Sequence, residues 1–131
     1  MERSYRHLVV EVIGDVFLVS LKDTRLDETE VYQLADELLS LVNERGCRKM
    51  VLALGPDSPD CLYSVFIAKL LMIRRRIVEL GGVIKLCSVS AHVQGVFEAC
   101  QLTGYFDFLP DRATALATLG AVSTPSQINP S

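Results

Sequence analysis

The chain has 131 residues, of which 50% are hydrophobic and 22% charged, and its formal net charge is −3. That length fits one domain able to bury its own core, and the composition excludes a chain that is disordered throughout. The acidic balance excludes a nucleic-acid binder, which needs clustered Lys and Arg; the one basic run, Arg74-Arg75-Arg76, would point three ways from a helix. The start, MERSYRHLVV, carries charge at once and lacks the apolar stretch of a leader. No apolar run approaches the roughly 20 residues of a membrane span. A soluble, cytoplasmic domain without membrane contact is therefore expected.

Two β-branched-rich runs, Leu8 to Ile13 and Val16 to Leu21, flank Gly14-Asp15, and a two-residue Gly-Asp link between such runs predicts a hairpin. Asp27 can cap a following helix, with Glu30 at the reciprocal position of a capping box. Val31, Leu34, Ala35, Leu38, Leu41 and Val42 then recur at helical spacing until Gly46 stops the helix. Lys49 to Leu54 does not alternate and reads as a strand buried on both faces.

The segment from Gly55 to Asp60 consists of turn-forming residues. A second helix is predicted from about Ser64 to Leu80, closed by Gly81-Gly82, and then a strand from Val83 to Ser88. A third helix from about Ala91 to Leu102, an extended piece from Tyr105 to Leu109, and a last helix capped by Asp111 complete the order ββαβαβα(β)α. Non-alternating strands separated by helices imply an α/β fold with right-handed crossovers. The opening hairpin makes the central sheet mixed, with about four or five strands and about four helices. Residues 1–120 form this single domain, and the Ser-, Thr-, Pro- and Asn-rich stretch 121–131 is expected to be a disordered polar tail.

Chemistry-bearing motifs are sparse. The sequence holds no GxGxxG, GxxxxGK[ST], GxSxG or HExxH pattern, so neither an enzyme nor a cofactor is expected. The four cysteines, at 47, 61, 87 and 100, have no CxxC spacing, and with His7 and His92 they form no zinc pattern. Cys87 and Cys100 are expected as small buried hydrophobes. On the second helix, Phe66, Leu70, Ile73, Ile77 and Leu80 share one side, with Ile67, Leu71 and Val78 widening the apolar arc to about half the circumference. Either both flanks of that arc are buried by the sheet and neighbouring helices, or part of it, near Met72, docks a partner; Arg74 within it favours an edge left uncovered. Ser64 reads either as a residue that merely caps its helix, the commoner role, or as a switch, because a helix start tolerates a phosphate through its unpaired N–H groups and dipole.

The order strand, turn, Leu62-Tyr63-Ser64 at a helix start, Ala68-Lys69-Leu70-Leu71, Gly81-Gly82 and Ile84-Lys85-Leu86-Cys87 resembles the STAS domain of anti-sigma factor antagonists. The stretch Val96-Phe97, Leu102-Thr103-Gly104 and Phe106 is similar to the family's closing pattern, and the likeness spans residues 8 to about 119. The resemblance implies a regulatory protein–protein interaction domain. It would bind an anti-sigma factor or serine kinase of that type and be switched by phosphorylation at Ser64. It also implies that Asp27 lies near Ser64, and that Leu62, Tyr63, Val65 and Met72 contribute to the partner surface. Tyr63, Val65 and Phe66 depart from the family's small residues, Ala53 replaces its strand Asp, and the loop 55–60 is longer. Those departures favour an alternative, a non-phosphorylated scaffold or self-associating homo-oligomer. A small-ligand-binding α/β domain using Cys61 or the 55–60 loop is the third reading.

Overall fold

The computed structural model describes residues 5–22, 26–54 and 64–120. Its strands are β1 (Leu8–Ile13), β2 (Val16–Leu21), β3 (Lys49–Ala53), β4 (Val83–Cys87) and β5 (Asp107–Leu109). Its helices are α1 (Glu28–Asn43), α2 (Ser64–Glu79), α3 (Ala91–Ala99) and α4 (Arg112–Thr118). The strands form one sheet in the sequential order β1-β2-β3-β4-β5, antiparallel between β1 and β2 and parallel thereafter. The hairpin turns on Gly14, whose φ of 64° suits the first central position of a II′ turn, with Ile13 opposite Val16. The mixed α/β architecture read from the sequence is the one observed.

β3 runs through the centre of the sheet and is buried on both sides. Met50, Leu52 and Leu54 join the larger core beneath α1, α2 and α3, whereas Val51 and Ala53 join a smaller core beneath α4. The parallel crossovers all advance across the sheet in one direction, so crossovers of one hand must lay α1, α2 and α3 on the same face. Among the described residues only α4, which follows the last strand, covers the other face, packing Ala115 and Leu116 against Val51, Ala53 and Cys87.

Gly81-Gly82 ends α2 by two separate requirements. Gly81 takes a φ of 83°, and its N–H donates to the Val78 carbonyl while the Gly82 N–H donates to that of Ile77 at 2.7 Å, a Schellman closure. A Cβ on Gly82 would fall on the Arg48 carbonyl, the same oxygen that accepts the Val83 N–H at 2.8 Å. The first glycine thus supplies a left-handed turn, and the second lets β4 approach the loop before β3.

The third helix is shorter than its apolar pattern suggested. It stops at Ala99 with the same pair of bonds, Gln101 N–H to Glu98 and Leu102 N–H to Phe97, but with a non-glycine, Gln101, at a φ of 61°. A 3₁₀ turn at Thr103–Tyr105 follows, so the last strand begins at Asp107 and not at Tyr105. Phe97 anchors this region, lying edge-on to Phe106 and Phe108 with ring centroids 5.7 and 5.4 Å away. Cys87 is buried as expected, but Cys100, the C-cap residue of α3, is exposed.

Opposite responses are expected at the two helix ends. Gly82→Ala should destabilise by about 1–3 kcal/mol because backbone must move. Gln101→Gly should stabilise by up to about 1 kcal/mol by relieving the left-handed side chain. Denaturant midpoints of the two variants against the parent measure both.

Candidate functional site

Parallel strands joined by helices place every crossover helix with its N-terminus at the carboxyl end of the sheet. α1 and α2 therefore open at the same end, and two side-chain contacts between them confirm that they run in the same direction. Lys69, early in α2, lies over the Tyr32 ring at 5.2 Å, and Arg76, late in α2, donates to Asn43 Oδ1 at 3.0 Å. Asp27 and Ser64 each lie five residues N-terminal of their own helix's member of the Tyr32–Lys69 contact. The two positions thus stand abreast at the helix openings.

Asp27 is committed to its own helix. Its carboxylate accepts the Glu30 N–H at 2.8 Å, and the Glu30 carboxylate accepts the Asp27 N–H at 3.0 Å, closing the capping box read from the sequence. Ser64 is the first residue of α2. The two openings differ in charge: α1 carries Glu28 and Glu30 in its first turn, and α2 carries no acidic residue in its own. The partial positive charge of the α2 opening is thus not offset from its first turn. Leu62 and Tyr63, with Cys61 and the 55–60 loop, fall outside the described residues.

Behind the opening, Val65 is half-buried against the main core and Phe66 is buried within it. Phe66 therefore contributes packing under the helix and not bulk on the outer surface. Met72 is 41% exposed, and Tyr32 on α1 is 46% exposed. Val65, Lys69, Met72 and Arg76 follow one another along α2 at helical spacing beside α1. Tyr32 and Lys69 escaped the sequence reading, and the available signal was an aromatic residue standing just off the stripe Val31, Leu34, Ala35 and Leu38. The three arginines diverge as helical geometry requires: Arg74 lies over Tyr105 at 5.5 Å, Arg75 pairs with Glu79, and Arg76 bridges Glu79 and Asn43. Val78 is exposed and Arg74 half-buried, so the arc on α2 does have an uncovered edge.

Among the described residues no His, Cys, Asp and Glu cluster could hold a metal ion, and no helix is long and apolar enough to cross a membrane. Burial pushes the Cys47 thiol up to about 12 and raises that of Cys87. Both are neutral at pH 7 and unsuited to nucleophilic chemistry.

A leading antiparallel hairpin, a sequential parallel run, paired α1 and α2 on one face and a lone α4 on the other define the fold of the STAS domain. The comparison with solved structures agrees: the chain has the fold of STAS, or anti-sigma-factor antagonist, domain proteins. An anti-sigma-factor antagonist (STAS) domain protein from Planctomyces limnophilus is 27% identical with a TM-score of 0.75, over 87% of this chain and 98% of that one. The anti-sigma factor antagonist SpoIIAA in its unphosphorylated form is 15% identical with a TM-score of 0.70, over 88% of this chain and 99% of that one. The Bacillus cell fate determinant SpoIIAA in its phosphorylated form is 15% identical with a TM-score of 0.65, over 86% and 98% of the two chains. No protein-family model and no curated protein sequence matches the chain.

Three outcomes follow from this geometry. Asp27→Ala should cost about 1 kcal/mol of stability, and Asp27→Ser should recover most of it by restoring a cap; thermal melts of the two variants compare them. Cys100 should react with a thiol reagent in the native protein, while Cys47 and Cys87 should react only after unfolding, as peptide mapping would show. Because the folded Cys47 value lies above the ordinary 9.0, its contribution is full below pH 9 and is lost as pH rises from there towards 12.

Proposed function

We propose that this chain is a cytoplasmic regulatory domain, not an enzyme, that acts as an anti-anti-sigma factor. It binds an anti-sigma factor of the kinase type and is switched by phosphorylation at Ser64. The observation that carries the reading is the position of Ser64 as the first residue of α2, abreast of the Asp27 cap, at a helix opening with no acidic side chain in its first turn. A phosphate there meets a favourable dipole from its own helix. Its charge of about −1.5 to −2 also faces the acidic opening of α1 and must be desolvated by any partner fitted to a neutral hydroxyl. The modification therefore costs the folded domain little and the complex much. SpoIIAA, which shares the fold, exists in phosphorylated and unphosphorylated forms, and this supports carrying the switch to Ser64.

The partner surface in this reading runs from Leu62, Tyr63 and Ser64 along Val65 and Lys69 to Met72, with Tyr32 and Asp27 on the α1 side. Burial of Phe66 favours it, since one of the bulky departures from the family's small residues is withdrawn into the core.

Incubation with ATP and a kinase-type anti-sigma factor should place phosphate on Ser64, located by mass spectrometry. Ser64→Asp should weaken binding tenfold or more, about 1.4 kcal/mol. Ser64→Ala should bind as the parent does and accept no phosphate at that helix start. Phosphate confined to other residues, or binding indifferent to Ser64→Asp, would refute the switch.

A further inference from the structure

We infer that the outer edge of β1 is a self-association surface that pairs with β1 of a second copy, antiparallel across a two-fold axis through Val10. The two edges of the sheet differ. β5 is three residues long and runs directly into Pro110, which blunts it. β1 has six residues, ends the sheet with no partner strand beyond it among the described residues, and carries neither proline nor lysine. Two exposed valines, Val9 at 46% and Val12 at 49%, lie on this one strand. Long, apolar, unprotected edges are templates for strand addition.

The occupant follows from the pairing parity. Lys22 N–H donates to the His7 carbonyl at 2.9 Å, and His7 stands opposite Lys22 by continuation of the Leu8↔Leu21 register. The His7 N–H itself donates to Glu37 Oε1 at 3.0 Å, but its carbonyl fixes the parity: antiparallel ladders alternate, so Val9, Glu11 and Ile13 direct their backbone groups towards β2. Leu8, Val10 and Val12 direct theirs outwards. A two-fold through Val10 sets Val10 against Val10 and Leu8 against Val12 of the second copy, so that all three outward residues are hydrogen-bonded. The same register places Glu11, the only charge on the strand, opposite Val9 of the other copy. Shifting the register by two residues towards the turn would oppose the two Glu11 carboxylates, and shifting it the other way would leave Val12 unpaired. One self-complementary register therefore satisfies backbone and charge together, and the contact closes as a dimer. A single added strand is a small interface, so the dimer should be weak and concentration-dependent.

Sedimentation of the full chain up to millimolar concentration should show a monomer–dimer equilibrium. Val10→Pro removes an outward N–H without touching the β1–β2 ladder and should abolish the dimer. Should that variant fail to fold by circular dichroism, the exposed Val9 decides. Val9→Lys, set against Glu11 of the other copy, should tighten the dimer about threefold or more, and Val9→Glu should weaken it correspondingly. In a background with Cys61→Ser and Cys100→Ser, oxidation should link Val10→Cys to its own copy, the Cα atoms being about 5.5 Å apart. Val9→Cys should not link, because its copy lies a diagonal step away at about 7–8 Å. A chain monomeric throughout, a dimer indifferent to charge at Val9, or a Val9→Cys chain that links as readily as Val10→Cys would overturn the inference.

Discussion

The structure depends on β3 being covered on both faces. Met50, Leu52 and Leu54 face one set of helices and Val51 and Ala53 face another, so no side of this strand can meet water. Such a strand must sit inside a sheet with neighbours on both edges, and parallel neighbours require long crossovers. Because the strands follow one another in sequence order, crossovers of one hand stack α1, α2 and α3 on a single face. Among the described residues the opposite face then receives only α4, whose Ala115 and Leu116 meet Val16, Leu18, Val51, Ala53 and Cys87. A seven-residue helix can cover that patch only by lying close to the sheet.

The position of the site follows from the same constraint. Crossover helices antiparallel to their strands must open at the carboxyl end of the sheet, so the positions of Asp27 and Ser64 are brought to the same end by the topology alone. The Tyr32–Lys69 and Asn43–Arg76 pairs then keep the two helices side by side along their length. Exposed pairs of this kind contribute modestly to stability, but two of them at opposite ends of a helix pair resist sliding of one helix past the other. The acidic cap of α1 and the opening of α2, free of acid in its first turn, form one electrostatic corner whose components come from distant parts of the chain.

Much of this was legible in the residues, for identifiable reasons. The hairpin, the Asp27–Glu30 capping box, the two-faced strand and the Gly81-Gly82 stop are signalled by local chemistry, which acts over four or five residues and survives folding unchanged. The end of α3 was not legible, because Gln101 takes a left-handed conformation that glycine would announce, while Leu102 extends the apolar period past the true end. Cys100 was misplaced by the same extension. At the site, the helix start at Ser64 could be read, but its company could not: the Lys69–Tyr32 stacking joins residues far apart in sequence and obeys no short-range period. The inward turn of Phe66 was implicit in the spacing with Leu70, Ile73 and Ile77, although the comparison with small family residues suggested a surface role.

The proposed switch and the proposed self-association surface make different demands on the fold, and the topology separates them. β1 is the edge of the sheet, whereas Ser64 opens a helix that crosses between β3 and β4. Antiparallel pairing through Val10 reverses the strand direction between copies, so the two carboxyl ends, and with them the two Ser64 helix starts, point to opposite ends of the joined sheet. A partner seated on one opening would be directed away from a partner on the other, and neither would lie over the Val10 axis. Phosphorylation could thus govern partner binding on each copy without acting on the strand pairing, while the pairing would double the number of openings carried by one particle.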